Sequence, residues 1–301
     1  MTDKVTIIIP SYNTENLTIS CLDSIYKKTK DVNMEIILVD NASKDRTVDK
    51  VKKIYPAVKL ITNHFNVGFG AANNQGAKIS TGKYLLFLNS DTILKENSVK
   101  IVSDWLNQHP RVQAATCKLT NPDGSLQYNL GTFPGVFRVL RWMFFIDDLP
   151  LINKYFRSFH LQHPRWYQAE TRIDWAMGAF LMIKKDVFKK INGFDEKMFM
   201  YAEEVELQYR LSKQNFSIYY IPSTAVVHLG RSSSRDTDPS LTTSSELTGI
   251  AYFANKHLSH AKSIAIRIIV KIGILLRILA FSTFKKNITL KQAYKHAFQN
   301  I

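Results

Sequence analysis

The chain has 301 residues, 45% hydrophobic and 22% charged, a make-up that fits a folded protein and excludes a disordered one. Two cysteines, Cys21 and Cys117, provide neither a disulfide framework nor a zinc-ligand spacing, so a reducing compartment is expected. The net charge of +15 favours a polyanionic partner, and the N-terminus has no basic start, apolar stretch or cleavage site of a secretory signal.

Val5-Thr6-Ile7-Ile8-Ile9, ended by Pro10, is a continuous apolar run of the kind a buried parallel strand makes. Leu17, Cys21 and Ile25 recur every fourth residue and predict a helix. Ile36 to Val39 predicts a second strand, Val48, Val51 and Ile54 a second helix, and Val58 to Ile61 a third strand. Gly68 to Ile79 reads as a loop turning into a helix, and Tyr84 to Leu88 as a fourth strand. A helix through Val99, Val102, Trp105 and Leu106 and a strand over Val112 to Leu119 follow. This alternation implies βαβ units and an α/β fold with a doubly wound, mostly parallel sheet.

Residues from about 133 to 170 are aromatic-rich and show no clean period, which suggests acceptor or membrane contact, or a flap packed on the core. Order returns with a strand at Ala179 to Ile183, helices at Asp186 to Ile191 and Glu203 to Leu211, and a strand at Ser217 to Ile221. Ser232 to Ser245 is polar and reads as a loop or linker. Residues 1–235 are expected to form the main domain, and 236–301 a linker and a helical, basic, amphipathic C-terminal extension.

No acidic residue follows Glu246, while nine Lys and Arg residues lie from Lys256 onward. Between Ser263 and Phe281 an apolar run is interrupted by Arg267, Lys271 and Arg277, too often for a membrane span. On a helical wheel Ile264, Ile268, Ile269, Ile272, Leu275, Leu276 and Leu279 share one side, and Lys262, Arg267, Lys271 and Arg277 the other. That pattern predicts a helix over residues 262–281 lying on an anionic inner-membrane surface, or one docked on protein. A nucleic-acid partner is not expected, since the basic residues alternate with Ile and Leu and not with stacking aromatics.

In an open α/β sheet, ligands bind beyond the carboxyl ends of the strands. Four predicted strands end there in polar clusters: Pro10-Ser11-Tyr12-Asn13, Asp40-Asn41-Ala42-Ser43, Asn63-His64-Phe65-Asn66 and Asn89-Ser90-Asp91. Asp40 is placed to accept the imide N–H of uracil or thymine. The loop from Asn66 through Gly68 and Phe69 to Asn73 opens a helix whose N-terminus favours an anion. Asp91 suits a hard divalent cation, and the imidazole of His228 suits Mn²⁺-like ions. In Tyr201 to Arg210, Glu203 and Glu204 are candidates for a general base, whereas Glu206 and Arg210, four apart, read as an ion pair.

With Asp174-Trp175-Ala176-Met177-Gly178, Gly193-Phe194-Asp195 and His228-Leu229-Gly230, these motifs in this order resemble the family 2 glycosyltransferases, closest to their bacterial rhamnosyltransferase-like branch, from residue 5 to about 234. The resemblance implies a GT-A fold and an inverting, metal-dependent transfer of a rhamnose-like or hexose sugar. The donor would be a dTDP or UDP sugar, the ion Mg²⁺ or Mn²⁺, and the acceptor a glycan or lipid-linked glycan of cell-surface polysaccharide synthesis. With the basic amphipathic tail and the reducing compartment, a cytoplasmic protein, peripheral on the inner face of the cell membrane, is expected. By resemblance Asp40 holds the pyrimidine and Asp91 stands at the Asp-x-Asp metal position. Glu204 stands at the base position, His228 at a late metal or diphosphate ligand, and Asp174 and Trp175 in the acceptor-side loop. Two departures stand out: Asn89 replaces the first Asp of Asp-x-Asp, and Glu-Glu-x-Glu stands where many relatives have Glu-Asp-x-Asp. The rival reading is a non-catalytic nucleotide-sugar-binding or assembly protein of the same fold.

Overall fold

The computed structural model describes residues 3–230, 239–282 and 288–301. The first half runs β1 (Val5–Ser11), α1 (Glu15–Lys28), β2 (Met34–Asp40), α2 (Thr47–Ile54), β3 (Lys59–Thr62), α3 (Phe69–Ile79), β4 (Tyr84–Leu88), β5 (Thr92–Leu94), α4 (Ser98–Gln108) and β6 (Ala114–Thr120). The middle holds β7 (Leu126–Gln127), β8 (Leu130–Gly131), α5 (Val136–Met143), α6 (Pro150–Tyr155), β9 (Thr171–Ile173) and β10 (Trp175–Ala176). Then come β11 (Phe180–Lys184), α7 (Lys185–Lys190), α8 (Glu203–Lys213), β12 (Ile218–His228), α9 (Pro239–His257), α10 (His260–Ser282) and α11 (Ile288–Asn300).

The main sheet has the order β3-β2-β1-β4-β11-β6-β12-β5. Strands β3, β2, β1 and β4 are parallel, as are β6 and β12, while β11 runs antiparallel between β4 and β6. Every residue of β1 and β4 is buried, which is why both read as unbroken apolar runs. Pro10 does not end β1: it pairs with Val39, and the strand continues to Ser11 opposite Asp40. One apolar layer (Cys21, Ile25, Val102 and Leu106) covers one face of the sheet. A second (Ala72, Phe188, Phe194 and Leu207) covers the other.

The aromatic middle folds into short helices and strands and contributes to a third core. There Val139, Met143, Phe159 and Trp175 meet Val205 of α8, Phe253 of α9 and Ile266, Val270 and Ile274 of α10. The part of the expected linker from Pro239 to Ser245 is the start of α9, and residues 232–238 lie outside the described residues. Burial of Leu247, Ile250 and Phe253 holds that helix in place despite its Ser/Thr-rich start.

Helix α10 turns an apolar face outward: Ile264, Ile268, Ile272, Leu275, Leu276 and Leu279 are each at least 40% exposed. Ile269 is the exception on that side and packs into the third core. The basic side of the wheel is solvated only in part, with Lys262 and Arg267 exposed. Arg277 is buried and donates to the carbonyl of Met143 at 2.6 Å, with its guanidinium 4.3 Å from the Phe145 ring. Arg267 donates to the Ile301 carbonyl, and Lys271 lies over Phe298. A long cation packed against loose helix ends satisfies carbonyls that would otherwise be buried without a partner. No helix among the described residues is long and apolar enough to cross a membrane.

Candidate active site

Parallel pairing sets the ends of β3, β2 and β1 side by side, since Ser11 lies opposite Asp40 and Asp40 opposite Thr62. Just past β4, the Ser90 hydroxyl reaches that of Thr14 at 3.3 Å. Asp40 is buried; its Oδ2 accepts the Ser43 amide at 3.0 Å, while Oδ1 has no partner. The two adjoining loops lock together: the Asn13 amide donates to Ser43 Oγ, and Asn13 Oδ1 accepts the Lys44 amide at 2.7 Å. Tyr12, beside Asn13, is only partly buried on this rim.

The loop before α3 crosses from this half to the other. Asn41 donates to the Gly68 carbonyl at 3.4 Å, Asn66 Oδ1 accepts the Gly68 amide at 3.0 Å, and the Phe69 amide donates to the Phe199 carbonyl at 3.0 Å. Gly68 has φ of +88°, and a Cβ there would collide with the Phe199 carbonyl oxygen, so only glycine fits both demands. Asn73 is fully buried and donates to the Phe69 carbonyl of its own helix, which makes it internal to α3.

Strand β12 delivers His228 to Asp91. Antiparallel pairing sets His228 opposite Thr92, the neighbour of Asp91, and Nε2 lies 3.2 Å from Asp91 Oδ1. Neither carboxylate oxygen of Asp91 has a hydrogen-bond partner, although the residue is 1% exposed. Gln127 Oε1 accepts from His228 Nδ1 at 2.7 Å, which leaves Nε2 as the lone-pair nitrogen facing Asp91 and the Asn89 amide. A buried carboxylate without donors, beside an imidazole oriented from behind, fits a divalent cation. Among the described residues, no group of three or more His, Cys, Asp or Glu is placed to share one metal ion, so the protein's offer here is this pair.

Glu203 and Glu204 open α8 after two residues in the left-handed region, Tyr201 (φ 67°) and Ala202 (φ 71°). Such backbone costs about 1–3 kcal/mol per residue and persists where the surroundings impose it. Glu203 is packed beside Gly70 of α3, and Glu204 adjoins Gly178, whose open side faces the Phe69 ring. Each glutamate has one buried oxygen without a partner. Burial, and then the neighbouring Glu204, raise Glu203 well above the usual carboxylate range. Burial also pushes Glu204 up to about 7, with Glu246 raising it further and His160 lowering it. Burial thus holds both carboxyls above the ordinary carboxylate range.

The loop from Asp174 to Gly178 is fixed by its hydrogen bonds. Gln208, one turn beyond Glu204, both donates to and accepts from Ala176. Asp174 Oδ2 accepts the Phe133 amide at 3.0 Å and lies 3.8 Å from Arg138. Trp175 is buried with its indole N–H donated to the Thr132 carbonyl, so its ring belongs to the core and offers no stacking surface. The Asn89 amide donates to the Ala179 carbonyl, which stitches the Asp91 loop to the Gly178 segment. His160 and Glu246 pair at 3.0 Å near Glu204.

Glu206, by contrast, is structural. Its carboxylate is fully buried and takes Arg210 through two nitrogens, Lys256 at 2.7 Å and His257 at 2.9 Å. Burial alone would raise it, but these cations outweigh that and hold it at about 2. The ion pair expected at 206 and 210 is thus present and extended to α9. Sequence reasoning missed Gln127, Gln208, His160 and Glu246. Only Gln208 carried a signal, its spacing of four from Glu204. A cavity of about 640 Å³ lies elsewhere, lined by Lys83, Lys184 and Lys185. These lysines are engaged with Asp3 and with the carbonyls of Pro110 and Ser80, and none of the residues above lines it.

The family model described as glycosyl transferase family 2 matches residues 6–192. An N-acetylglucosaminyl-diphospho-decaprenol L-rhamnosyltransferase of Mycobacterium tuberculosis is 26% identical over 236 residues, 74% of this chain and 76% of that one. Rhamnosyltransferase WbbL of Escherichia coli K12 is 26% identical over 241 residues, covering 77% and 85%. Among solved structures, mannosyltransferase PcManGT of Pyrobaculum calidifontis, with GDP-Man and Mn²⁺, superposes with a TM-score of 0.61 at 15% identity, covering 100% of this chain and 87% of that one. S. aureus TarS 1–349 with UDP-GlcNAc gives 0.56 at 19%, covering 98% and 79%. At these identities the structural likeness speaks for the fold, and it bears out the α/β architecture expected from the strand–helix alternation.

Proposed function

Because the chain belongs to glycosyl transferase family 2, we propose that it moves a rhamnose-like or hexose sugar from a dTDP or UDP donor to a glycan or lipid-linked acceptor in cell-surface polysaccharide synthesis, by an inverting displacement that uses Mg²⁺ or Mn²⁺. One observation carries this reading: Asp40, Asp91, Glu203 and Glu204 all present buried carboxylate oxygens without partners. Desolvated acceptor atoms left bare cost free energy, and a ligand that supplies donors or positive charge repays it.

In this reading the free Asp40 oxygen accepts the pyrimidine imide N–H, and the Gly68 loop admits the diphosphate near the start of α3. Ionised Glu204 takes the proton of the acceptor hydroxyl, whose oxygen attacks the anomeric carbon opposite the departing diphosphate. Glu203, whose carboxyl is raised by burial and by Glu204, lies next to that base. Asp91 and His228 would hold the divalent cation, which when bound neutralises charge on the diphosphate. The names of the rhamnosyltransferase relatives and the nucleotide sugars in the structural neighbours support the substrate class.

Residues 1–235 form the catalytic domain in this reading, and 236–301 the membrane-associating extension. The outward apolar face of α10 supports a peripheral place on the inner membrane surface, with the protein cytoplasmic. Calorimetric titration of the protein and of Asp40→Ala with dTDP- and UDP-sugars tests the assignment. One nucleotide class should bind, and Asp40→Ala should weaken it about 10- to 100-fold, the value of one hydrogen bond to a charged group. Unchanged affinity would remove Asp40 from the donor site.

A further inference from the structure

Helix α6 and the turn before it expose an unusual amount of apolar surface. Phe145, Leu149, Leu151, Tyr155 and Phe156 are between 47% and 71% exposed. Soluble proteins seldom expose a cluster this dense unless something covers it. Cations are set among these rings: Arg141 lies over Phe156, Lys154 and Arg165 over Tyr155, and Arg157 and Arg165 over Trp166. The acidic residues of the segment do not balance them, because Asp147 is buried against Arg141 and only Asp148 faces outward.

The patch joins two other features. Phe145 carries the Arg277 guanidinium, so the patch adjoins α10. Past α6, the carbonyl of Ser158 accepts Thr132 Oγ1, Phe159 packs on Trp175, and Trp175 adjoins Ala176, which Gln208 ties to α8 below Glu204. The apolar patch is thus built on the wall next to the general base.

We propose that α6 and its flanking turn form a second lipid-contacting surface, which seats the acceptor side of the active site on an anionic bilayer. The proposal rests on the membrane reading of α10 and extends it from one helix to a two-part footprint. Apolar side chains enter the headgroup–acyl boundary, and Lys154, Arg157 and Arg165 meet anionic headgroups. Charge complementarity decides for lipid over a second copy of this strongly basic chain, which would set like charges face to face.

The test is flotation of the full chain with vesicles of phosphatidylcholine containing phosphatidylglycerol. Leu151→Glu with Phe156→Glu should lower the bound fraction about tenfold, with unfolding midpoint and nucleotide binding unchanged. Lys154→Gln with Arg157→Gln should lower it on anionic vesicles only. Unchanged flotation of the Leu151/Phe156 variant would overturn the proposal. So would a drop that coincides with a dimer becoming a monomer in lipid-free solution, which would identify a second copy as the cover. Ile268→Glu with Leu279→Glu separates this idea from the earlier one. If only that pair matters, the α6 surface is wrong and the α10 reading stands; if only the α6 pair matters, the reverse holds.

Discussion

Glu204 gives the sharpest prediction, because its environment fixes both the direction and the size of a pH effect. Burial raises its carboxyl from the ordinary 4.5 to about 7. A general base works only when ionised, so a raised value withholds activity on the acid side. A group that half-ionises at pH 7 is about one-tenth ionised at pH 6 and one-hundredth at pH 5, and each tenfold step corresponds to about 1.4 kcal/mol. Sugar transfer at limiting acceptor, followed from pH 5 to 9, should therefore rise about tenfold per pH step and level off above 7. Glu204→Gln should lose about 10²- to 10⁴-fold and flatten that limb, while nucleotide-sugar affinity stays within a few fold. The surroundings give a finer check. Glu246→Gln removes a charge that raises Glu204, so the acid limb should move to lower pH. His160→Gln removes one that lowers it, so the limb should move to higher pH. A flat wild-type profile between pH 5 and 7, or a Glu204→Gln enzyme with near-normal turnover, would refute the base assignment.

Three further outcomes follow from the geometry. Glu206 is held at about 2 by His257, Arg210 and Lys256, so Glu206→Gln should cost about 3 kcal/mol at pH 7, seen as a melting point about 5 °C lower. A depressed carboxylate contributes stability above its unfolded value and loses it as pH falls. The gap between wild type and variant should therefore close between about pH 4.5 and about 2 in urea melts. Gly68→Ala meets both positive φ and the Phe199 carbonyl, so it should destabilise by about 2 kcal/mol or more and lower donor affinity in calorimetry. Chelation should stop transfer and Mn²⁺ restore it, whereas Asp91→Ala and His228→Ala should respond weakly to added Mn²⁺; a normal response in both variants would remove this pair from the metal site.

Which parts of this fold could be read in advance follows from burial. Strands β1, β2 and β4 sit in the middle of the sheet and must be apolar on both faces, so their runs stood out. Strand β12 was expected to stop at Ile221 because Pro222, Ser223 and Thr224 interrupt its apolar run, at the point where its register on β6 shifts. Helix α9 was hidden by its Ser/Thr-rich start, since its stability comes from tertiary burial of Leu247, Ile250 and Phe253. For the same reason the direction of β11 was illegible: an apolar run looks alike in either sense. In the site, the strand-end clusters were visible as motifs. The contact of Asp91 with His228, from positions far apart in the chain, depends on strand pairing that no local pattern records. Gln127 had no signal, because its value lies in a hydrogen bond made only after β6, β7 and β12 assemble.

The reversed course of β11 has a practical consequence. Its neighbour β4 leads into the Asp91 loop at its finish, whereas β11 meets that rim at its beginning, just after Gly178. In the proposed reading, the peptide on the acceptor side therefore precedes its strand, while the loops assigned to the nucleotide follow theirs. The residues between Thr132 and Gly178, which lead into β11, include none of Asp40, Gly68 and Asp91. If the proposed division of the site holds, swapping them between homologues should change which glycan is extended while leaving the activated sugar the same.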